Sequence, residues 1–196
     1  MADNSENAFL AALGQLVVDW NFAEGWLKTL LIHLAGSSQM ATILTVELGA
    51  IGLQNALTAA AAHVLEPEPA DRLVYAVKLY EVLRGYRNYW VHGTIFSAGD
   101  EDGEPHGFTY VPSAKGKLQT HSQVVEIANV KQISAACWGL GTFVGQLHRH
   151  LQKTPDKSGV VPPLPDKQPL PPEVDKNAPY PQWQKPSPKS SRKKSQ

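Results

Sequence analysis

The stretch RGYRNYWVHG at residues 84–93 ends a long amphipathic pattern that begins near Pro69. Apolar side chains recur in that pattern every three or four residues, which is typical of a helix with one buried face. Gly93 follows the last periodic residue, and glycine just past a helix end readily takes the left-handed backbone conformation. The stretch therefore predicts a helix over residues 70–92 that closes at Gly93.

Two side chains in this stretch, Arg87 and His92, have the chemistry needed at a phosphate. Arg87 keeps its charge at any relevant pH and presents a planar fork of donors. His92 lies at the negative end of the helix dipole, a position that favours the protonated imidazole. Because His92 lies five positions after Arg87, an ideal helix places the two side chains about 140° apart around its axis. They converge on one phosphate only if the last turn distorts or if two chains contribute.

The order Arg87, Asn88, three further residues and His92 resembles the motif of the HEPN superfamily (higher eukaryotes and prokaryotes nucleotide-binding). That motif is an arginine, four to six residues and a histidine, often with an asparagine directly after the arginine. The resemblance extends over residues 10–151 as a pattern of helices. It implies a mainly α fold, an antiparallel four-helix bundle over residues 1–153, and a bacterial or phage protein of the cytoplasm.

The resemblance also implies an activity, the cleavage of RNA without a metal ion or cofactor. The 2′-hydroxyl of the RNA attacks the adjacent phosphate and leaves a cyclic phosphate end. His92 would be the general acid or base, and Arg87 would stabilise charge on the phosphate oxygens. Asn88 would orient either group or hold the helix end. Such proteins commonly form homodimers with two motifs across one cleft, and they often serve as toxins, with a cognate antitoxin, or in phage defence.

Two further residues enter through the same resemblance. HEPN-like proteins often carry an acidic residue on the first helix, turned toward the motif, and Glu24 has that place here. Glu24 either pairs with Arg87 or is a solvated carboxylate, and both readings stay open. Tyr89 is the candidate for stacking on an RNA base, whereas Tyr86 and Trp90 are expected in the core because aromatic residues at helical spacing usually are.

The remainder of residues 1–153 shows three more helical patterns and one region of shorter period. Gly49 and Gly52 interrupt the second pattern, which predicts a kink or a close helix approach there. Prolines in the stretch 66–69 predict an extended break. The predicted helices cover residues 6–35, 38–65, 70–92 and 126–153, and a small β-insertion of residues 94–125 contains strand-like runs at 94–97, 107–111 and 118–125.

The composition changes at Thr154, because 11 of the 15 prolines follow it together with many Lys, Ser and Gln residues. Such a segment buries too little apolar surface to offset the entropy of ordering, so we expect residues 154–196 to be disordered with polyproline II character. The tail is either a plain linker or a recruiting segment whose proline runs dock on aromatic grooves.

The distribution of charge along the chain limits which classes of nucleic-acid-binding protein it could belong to. Residues 1–153 hold 10 Lys/Arg against 14 Asp/Glu, a net charge of −4, and residues 154–196 hold 8 against 4, a net charge of +4. An acidic folded part is unlike a dedicated duplex-binding domain. Many HEPN-like proteins keep the fold and bind nucleotides or proteins without cleavage, so the resemblance also implies an alternative function, a non-catalytic helical module that binds a nucleotide or a protein and has a proline-rich recruiting tail.

Cysteine and hydropathy patterns add three expectations. The single cysteine, Cys137, excludes an internal disulfide and lies on a predicted apolar face, so it is expected in the core. We expect no membrane span, since no stretch of about 18 apolar residues occurs. We expect no metal site, because the acidic residues 100–104 lack calcium-ligand spacing.

Overall fold

The computed structural model describes residues 3–92, 94–99, 105–114, 118–153 and 160–171, with side chains described for 7–92, 125–153 and 160–171. The chain is mainly helical, which confirms the predicted fold class at that level. The helices are α1 (Asp3–Leu34), α2 (Gln39–Val46), α3 (Ala50–His63), α4 (Pro67–Val91) and α5 (Ile127–Leu151). The strands are β1 (Thr94–Gly99), β2 (Pro105–Ala114) and β3 (Leu118–Val125).

Helix α1 ends at Leu34, one residue before the predicted end at residue 35, and Gly36 and two serines follow it. Gly36 and Ser37 have positive φ angles of 87° and 54°. The Ser37 N–H donates to Ile32 O at 2.9 Å, which satisfies a carbonyl of the last turn. Ser38 then caps α2, its Oγ accepting from the Ala41 N–H at 3.0 Å.

The single helix predicted over residues 38–65 is wrong, because α2 and α3 are separate helices. Glu47 is the C-cap of α2, and Gly49 is the N-cap of α3 with extended dihedrals of −70° and 170°. Gly49 thus starts a new helix instead of kinking a continuous one. A Cβ at Gly52 would lie 3.2 Å from Leu48 Cδ2, so its neighbour is a side chain of the connection before α3 and not another helix.

Helix α4 begins three residues earlier than the sequence predicts, at Pro67. Glu66 is the extended N-cap, and the two prolines occupy the first turn. Proline costs little there because its missing N–H has no partner inside the helix, and its fixed φ suits the helix. The prolines therefore start the helix rather than break the chain before it.

The three strands form one antiparallel sheet in the order β1-β2-β3. In the first pair Thr94 lies opposite Tyr110, and in the second Gly107 lies opposite Val125. The sheet follows directly on α4, so it begins two residues after His92. It also contacts α1 and α4 through β2.

One hydrophobic core joins α1, α3, α4 and α5. Helix α1 packs along α5 over most of its length, while α4 lies against both α3 and α5. Cys137 is fully buried in this core, as the sequence predicts. Each fully buried Leu or Ile stabilises the fold by roughly 1.5–3 kcal/mol. The residues with no exposed surface include Leu16, Leu27, Leu30, Leu53, Leu57, Leu73, Tyr80, Leu83, Val130, Ile133, Leu140, Val144 and Leu147.

The close contact of α1 with α5 requires glycine on α5. A Cβ at Gly141 would lie 2.4 Å from Cδ1 of Phe22 and 3.3 Å from the Cα of Ala23. The Phe22 ring is itself held in place, stacked on Trp138 at 4.4 Å and edge-on to Trp26 at 6.5 Å. The ring therefore has little freedom to move away from an added methyl group.

Residues 160–171, part of the predicted disordered tail, lie against α4 and α5. Leu164 packs against the core, and Pro165 and Pro171 are buried. The Lys167 Nζ lies 2.9 and 2.8 Å from the two carboxylate oxygens of Asp71. The sequence predicts that the folded domain ends at residue 153. Residues 160–171, which lie beyond that boundary, nevertheless contact the folded helices. The rest of the predicted tail, 154–159 and 172–196, lies outside the described residues.

We expect Gly141→Ala to lower the free energy of unfolding by about 1–3 kcal/mol, because the methyl group overpacks the α1–α5 contact. Gly139→Ala is the matched control on the same helix, since a Cβ there meets nothing within 4 Å. It should stabilise the fold by about 0.5–1 kcal/mol through the lower entropy of the unfolded chain. Urea unfolding of both variants measures the difference, and equal stabilities would contradict this packing.

Candidate functional site

The end of α4 brings Arg87 and His92 together within one chain. His92 is the C-cap of α4, with dihedrals of −97° and −4°, and its N–H donates to Asn88 O at a lengthened 3.2 Å. The Nη1 of Arg87 lies 2.7 Å from Nε2 of His92. The loosened last turn and the long arginine side chain thus overcome the angular offset of an ideal helix. A second chain is not needed to bring the two groups together.

The contact fixes the role of each nitrogen. A guanidinium has donors only, so Nε2 of His92 must be the acceptor. In this arrangement the Nε2 lone pair of His92 is covered by the Arg87 donor. A group that displaced that donor would leave Nε2 open to accept a proton.

Asn88 completes the group by accepting from the same guanidinium nitrogen. Arg87 Nη1 donates to Asn88 Oδ1 at 3.0 Å as well as to His92. These two bonds use both hydrogens of Nη1. His92 and Asn88 are exposed and Arg87 is half-buried. All three predicted catalytic residues therefore meet at a surface that a large substrate can reach.

Arg84 adds a second guanidinium one turn before Arg87, and the sequence reasoning gave it no role. Its Nη1 is buried and has no hydrogen-bond partner in the part of the chain that the structure describes. The Nε of Arg87 is in the same state. Buried donors without acceptors are rare in folded proteins and favour an added acceptor. The signal that could have indicated Arg84 was its spacing, since residues three apart share one helix face.

Glu24 does not pair with Arg87 among the described residues. Its Oε2 accepts from the Tyr80 hydroxyl at 3.0 Å, and its Oε1 lies 3.1 Å from Lys28 Nζ. The Tyr80 ring stacks on Trp20 of α1 with a centroid distance of 4.7 Å, which directs the hydroxyl to the carboxylate one turn along. Glu24 therefore joins α1 to α4 beside the arginines.

Tyr80 has a raised pKa because it is buried and because its hydroxyl meets the charge of Glu24. Arg84 and Arg87 act on Tyr80 in the opposite direction. Both guanidinium groups are therefore close enough to Tyr80 for their charges to lower its pKa. Glu24, the acid of α1 that meets Tyr80, is already bonded to Tyr80 and Lys28.

The predicted RNA contact, Tyr89, is buried and its ring has no open face on which a base could stack. It is 4% exposed, and its hydroxyl has no partner within the described residues. Tyr86 and Trp90 are each 1% exposed, which confirms their expected place in the core, and their rings meet at 5.2 Å. Burial raises the pKa of Tyr86 to about 12.

Cys137 has no part in this site. Burial, with the nearby charge of Asp19, raises the pKa of its thiol to about 12. Asp19 is itself buried and accepts hydrogen bonds from Ser134 and Gln15. Where side chains are described, no group of three His, Cys, Asp or Glu residues could hold a metal ion.

The chain was compared with protein families, curated proteins and solved structures. No protein-family model, curated protein or solved structure matches the chain. Of the helices that the structure describes, none has both the length and the apolar composition to cross a bilayer.

We expect the folded chain to lose stability as the pH rises above about 10, the ordinary pKa of tyrosine. Because Tyr80 and Tyr86 have raised pKa values when folded, the unfolded chain releases their protons first. Tyr80→Phe should make this decline shallower by up to about 1.4 kcal/mol per pH unit. Urea unfolding between about pH 9 and pH 11.5 measures both slopes. A variant with the slope of the wild type would contradict the buried Tyr80 hydroxyl.

Proposed function

We propose that the chain is a HEPN-like endoribonuclease that cleaves RNA through attack of the 2′-hydroxyl, without a metal ion. The observation that carries the proposal is the 2.7 Å contact between Arg87 Nη1 and His92 Nε2 at an exposed helix end. A permanent cation beside an imidazole combines charge stabilisation with a group able to accept a proton. The proposal includes a HEPN-like four-helix bundle with a β-insertion, whose four long helices would be α1, α3, α4 and α5.

The geometry suggests how substrate would activate the base. A phosphate bound at Arg87 would compete with Nε2 for guanidinium donors and so release the imidazole lone pair. His92 would then take the proton of the 2′-hydroxyl while the 2′ oxygen bonds to phosphorus. The bond to the 5′ oxygen breaks, that oxygen takes a proton from solvent water, and a 2′,3′-cyclic phosphate remains. Arg87 would stabilise the charge on the phosphate oxygens, and Asn88 would hold the guanidinium in place.

A second candidate function is non-catalytic binding of a nucleotide. The observation that favours it is the pair of buried donors, Arg84 Nη1 and Arg87 Nε, that lack an acceptor within the described residues. Two guanidinium groups on one helix face can bind phosphate whether or not His92 takes a proton. In this reading Arg87 covers His92 permanently, and loss of the imidazole would leave binding unchanged.

We expect His92→Ala and Arg87→Ala each to lower the rate of RNA cleavage by about 10²–10⁴-fold, because each removes an acid–base or electrostatic contribution. His63→Ala is the matched control, since His63 is also an exposed histidine at a helix end. The measurement is cleavage of labelled RNA in the presence of EDTA, with unfolding curves to match stability. A cyclic phosphate end identifies the chemistry.

The outcomes separate the two functions. Cleavage by the wild type and by His63→Ala, absent in His92→Ala, supports the ribonuclease. Absence of cleavage in all three, with nucleotide binding that is lost in Arg84→Ala and kept in His92→Ala, supports the binding module instead. Cleavage that survives in His92→Ala would remove the imidazole from the mechanism.

The same proposal includes a homodimer. It also includes a role as a toxin or in phage defence, with an antitoxin or another protein as partner. The support for the homodimer on the surface of the molecule is α2, which buries only Ala41 and Thr45. The apolar side chains Met40, Ile43, Leu44 and Val46 are each more than half exposed. Exposed apolar clusters of this kind favour association with another surface.

We expect the wild type to be a dimer at tens of micromolar by light scattering, and Leu44→Glu to be a monomer, because the carboxylate would have to be buried in the interface. Thr58→Glu, an exposed position on α3, is the control and should leave the mass unchanged. A monomeric wild type would leave the dimer without support. It would not affect the cleavage site, which one chain completes.

A further inference from the structure

A second feature of α4 lies at the other end of the helix, where residues 160–171 cover a groove between α4 and α5. Tyr75 and Leu79 of α4 and Leu140 and Phe143 of α5 line the groove, and the rings of Tyr75 and Phe143 are 5.0 Å apart. From Tyr75 to Arg87 the helix rises by about 18 Å. The groove and the candidate catalytic group are therefore separate sites.

The covering segment is held by the kinds of contact that bind an extended peptide. It has no helix or strand, and two of its prolines, Pro165 and Pro171, are buried. The backbone N–H of Gln168 donates to the Tyr75 hydroxyl at 3.1 Å. Proline-rich segments suit aromatic-lined grooves because their backbone is already restricted, so little entropy is lost on binding.

Charge fixes the register of the segment on the groove. Lys167 bonds both carboxylate oxygens of Asp71, and that contact lowers the pKa of Asp71. At the other end of the segment the imidazole Nδ1 of His150 lies 2.9 Å from Pro162 O. The segment therefore runs from the end of α5 back toward its first half, with one lysine and two prolines as its anchors.

Two observations indicate that residues 160–171 can dissociate from the groove. The ion pair between Lys167 and Asp71 is exposed, with 37% and 55% of the side-chain surfaces accessible, and exposed pairs contribute little to stability. A cavity of about 240 Å³ also remains between the segment and the groove, beside Pro169 and Pro171. The chain's own segment thus fits the groove without filling it.

We propose that this groove is a recognition site for an extended proline-rich peptide of a partner, with the arrangement Pro-x-Lys-x-x-x-Pro seen at residues 165–171. Residues 160–171 occupy the site in the free protein and are displaced by the partner's peptide. Covalent connection gives this segment an effective concentration on the order of millimolar. A partner peptide therefore binds tightly only if it fills the remaining cavity or if the chain's own segment is weakened.

The test uses the full-length chain and a labelled peptide with the sequence of residues 160–171, measured by fluorescence polarisation. Lys167→Glu in the chain weakens its own segment by placing a carboxylate beside Asp71, so the native peptide should bind this variant about fivefold more tightly than it binds the wild type. Asp71→Lys in the chain should reverse the preference, so that a peptide with Lys167→Glu binds better than the native peptide.

A second peptide serves as the control for the backbone contact. Gln168→Pro in the peptide removes the backbone N–H that donates a hydrogen bond to the Tyr75 hydroxyl. This change should weaken binding of the peptide to the Lys167→Glu chain several-fold. In a chain that also carries Tyr75→Phe, the native and Gln168→Pro peptides should bind more nearly alike. The Lys167→Glu chain failing to bind the native peptide at millimolar concentration, or binding a scrambled peptide equally well, would overturn the proposal. RNA cleavage is unaffected by either outcome, since the two sites share no residue.

Discussion

The contact of Trp20 with Tyr80 is the interaction on which the candidate catalytic site depends. The two rings stack at 4.7 Å, and the Tyr80 hydroxyl bonds Glu24 one turn further along α1. This fixes both the rotation and the height of α4 against α1. Arg84 and Arg87 follow Tyr80 at four and seven residues, so they emerge on the same side of the helix. A small rotation of α4 would move both guanidinium groups away from the α1 surface.

The sequence predicted those parts of the fold that depend on interactions between residues close together in the chain. The long helices follow from apolar spacing, and the end of α1 follows from Gly36 and the serines after it. The errors arose where one residue type serves two purposes. The sequence predicts a kink or a close helix approach at Gly49, which is the N-cap of a new helix, and an extended break at Pro67, which begins α4. The contact of Lys167 with Asp71 joins residues 96 apart, which composition alone does not encode.

The candidate site divides in the same way. The motif gave Arg87, Asn88 and His92, and the helix end that it predicted is the feature that lets them meet. Glu24 was placed on the correct face of α1, but its partner depended on how α1 docks against α4. An acid at that position can reach either a tyrosine or an arginine of the facing helix, and only the packing of the two helices selects Tyr80. The spacing of Arg84 and Arg87 predicts a shared helix face, but the unpaired buried donor of Arg84 is a property of the packed helices that spacing does not encode.

The burial of Cys137 links the redox chemistry of the chain to its folding. The chain has one thiol, and that thiol is fully buried in the core with a pKa raised to about 12. The thiolate is the reactive form, so oxidants and electrophiles meet an inert side chain while the helices stay together. Covalent crosslinking of two copies through this residue would require α5 to come away from its neighbours. Oxidative inactivation through this thiol would therefore be a consequence of unfolding and not its cause.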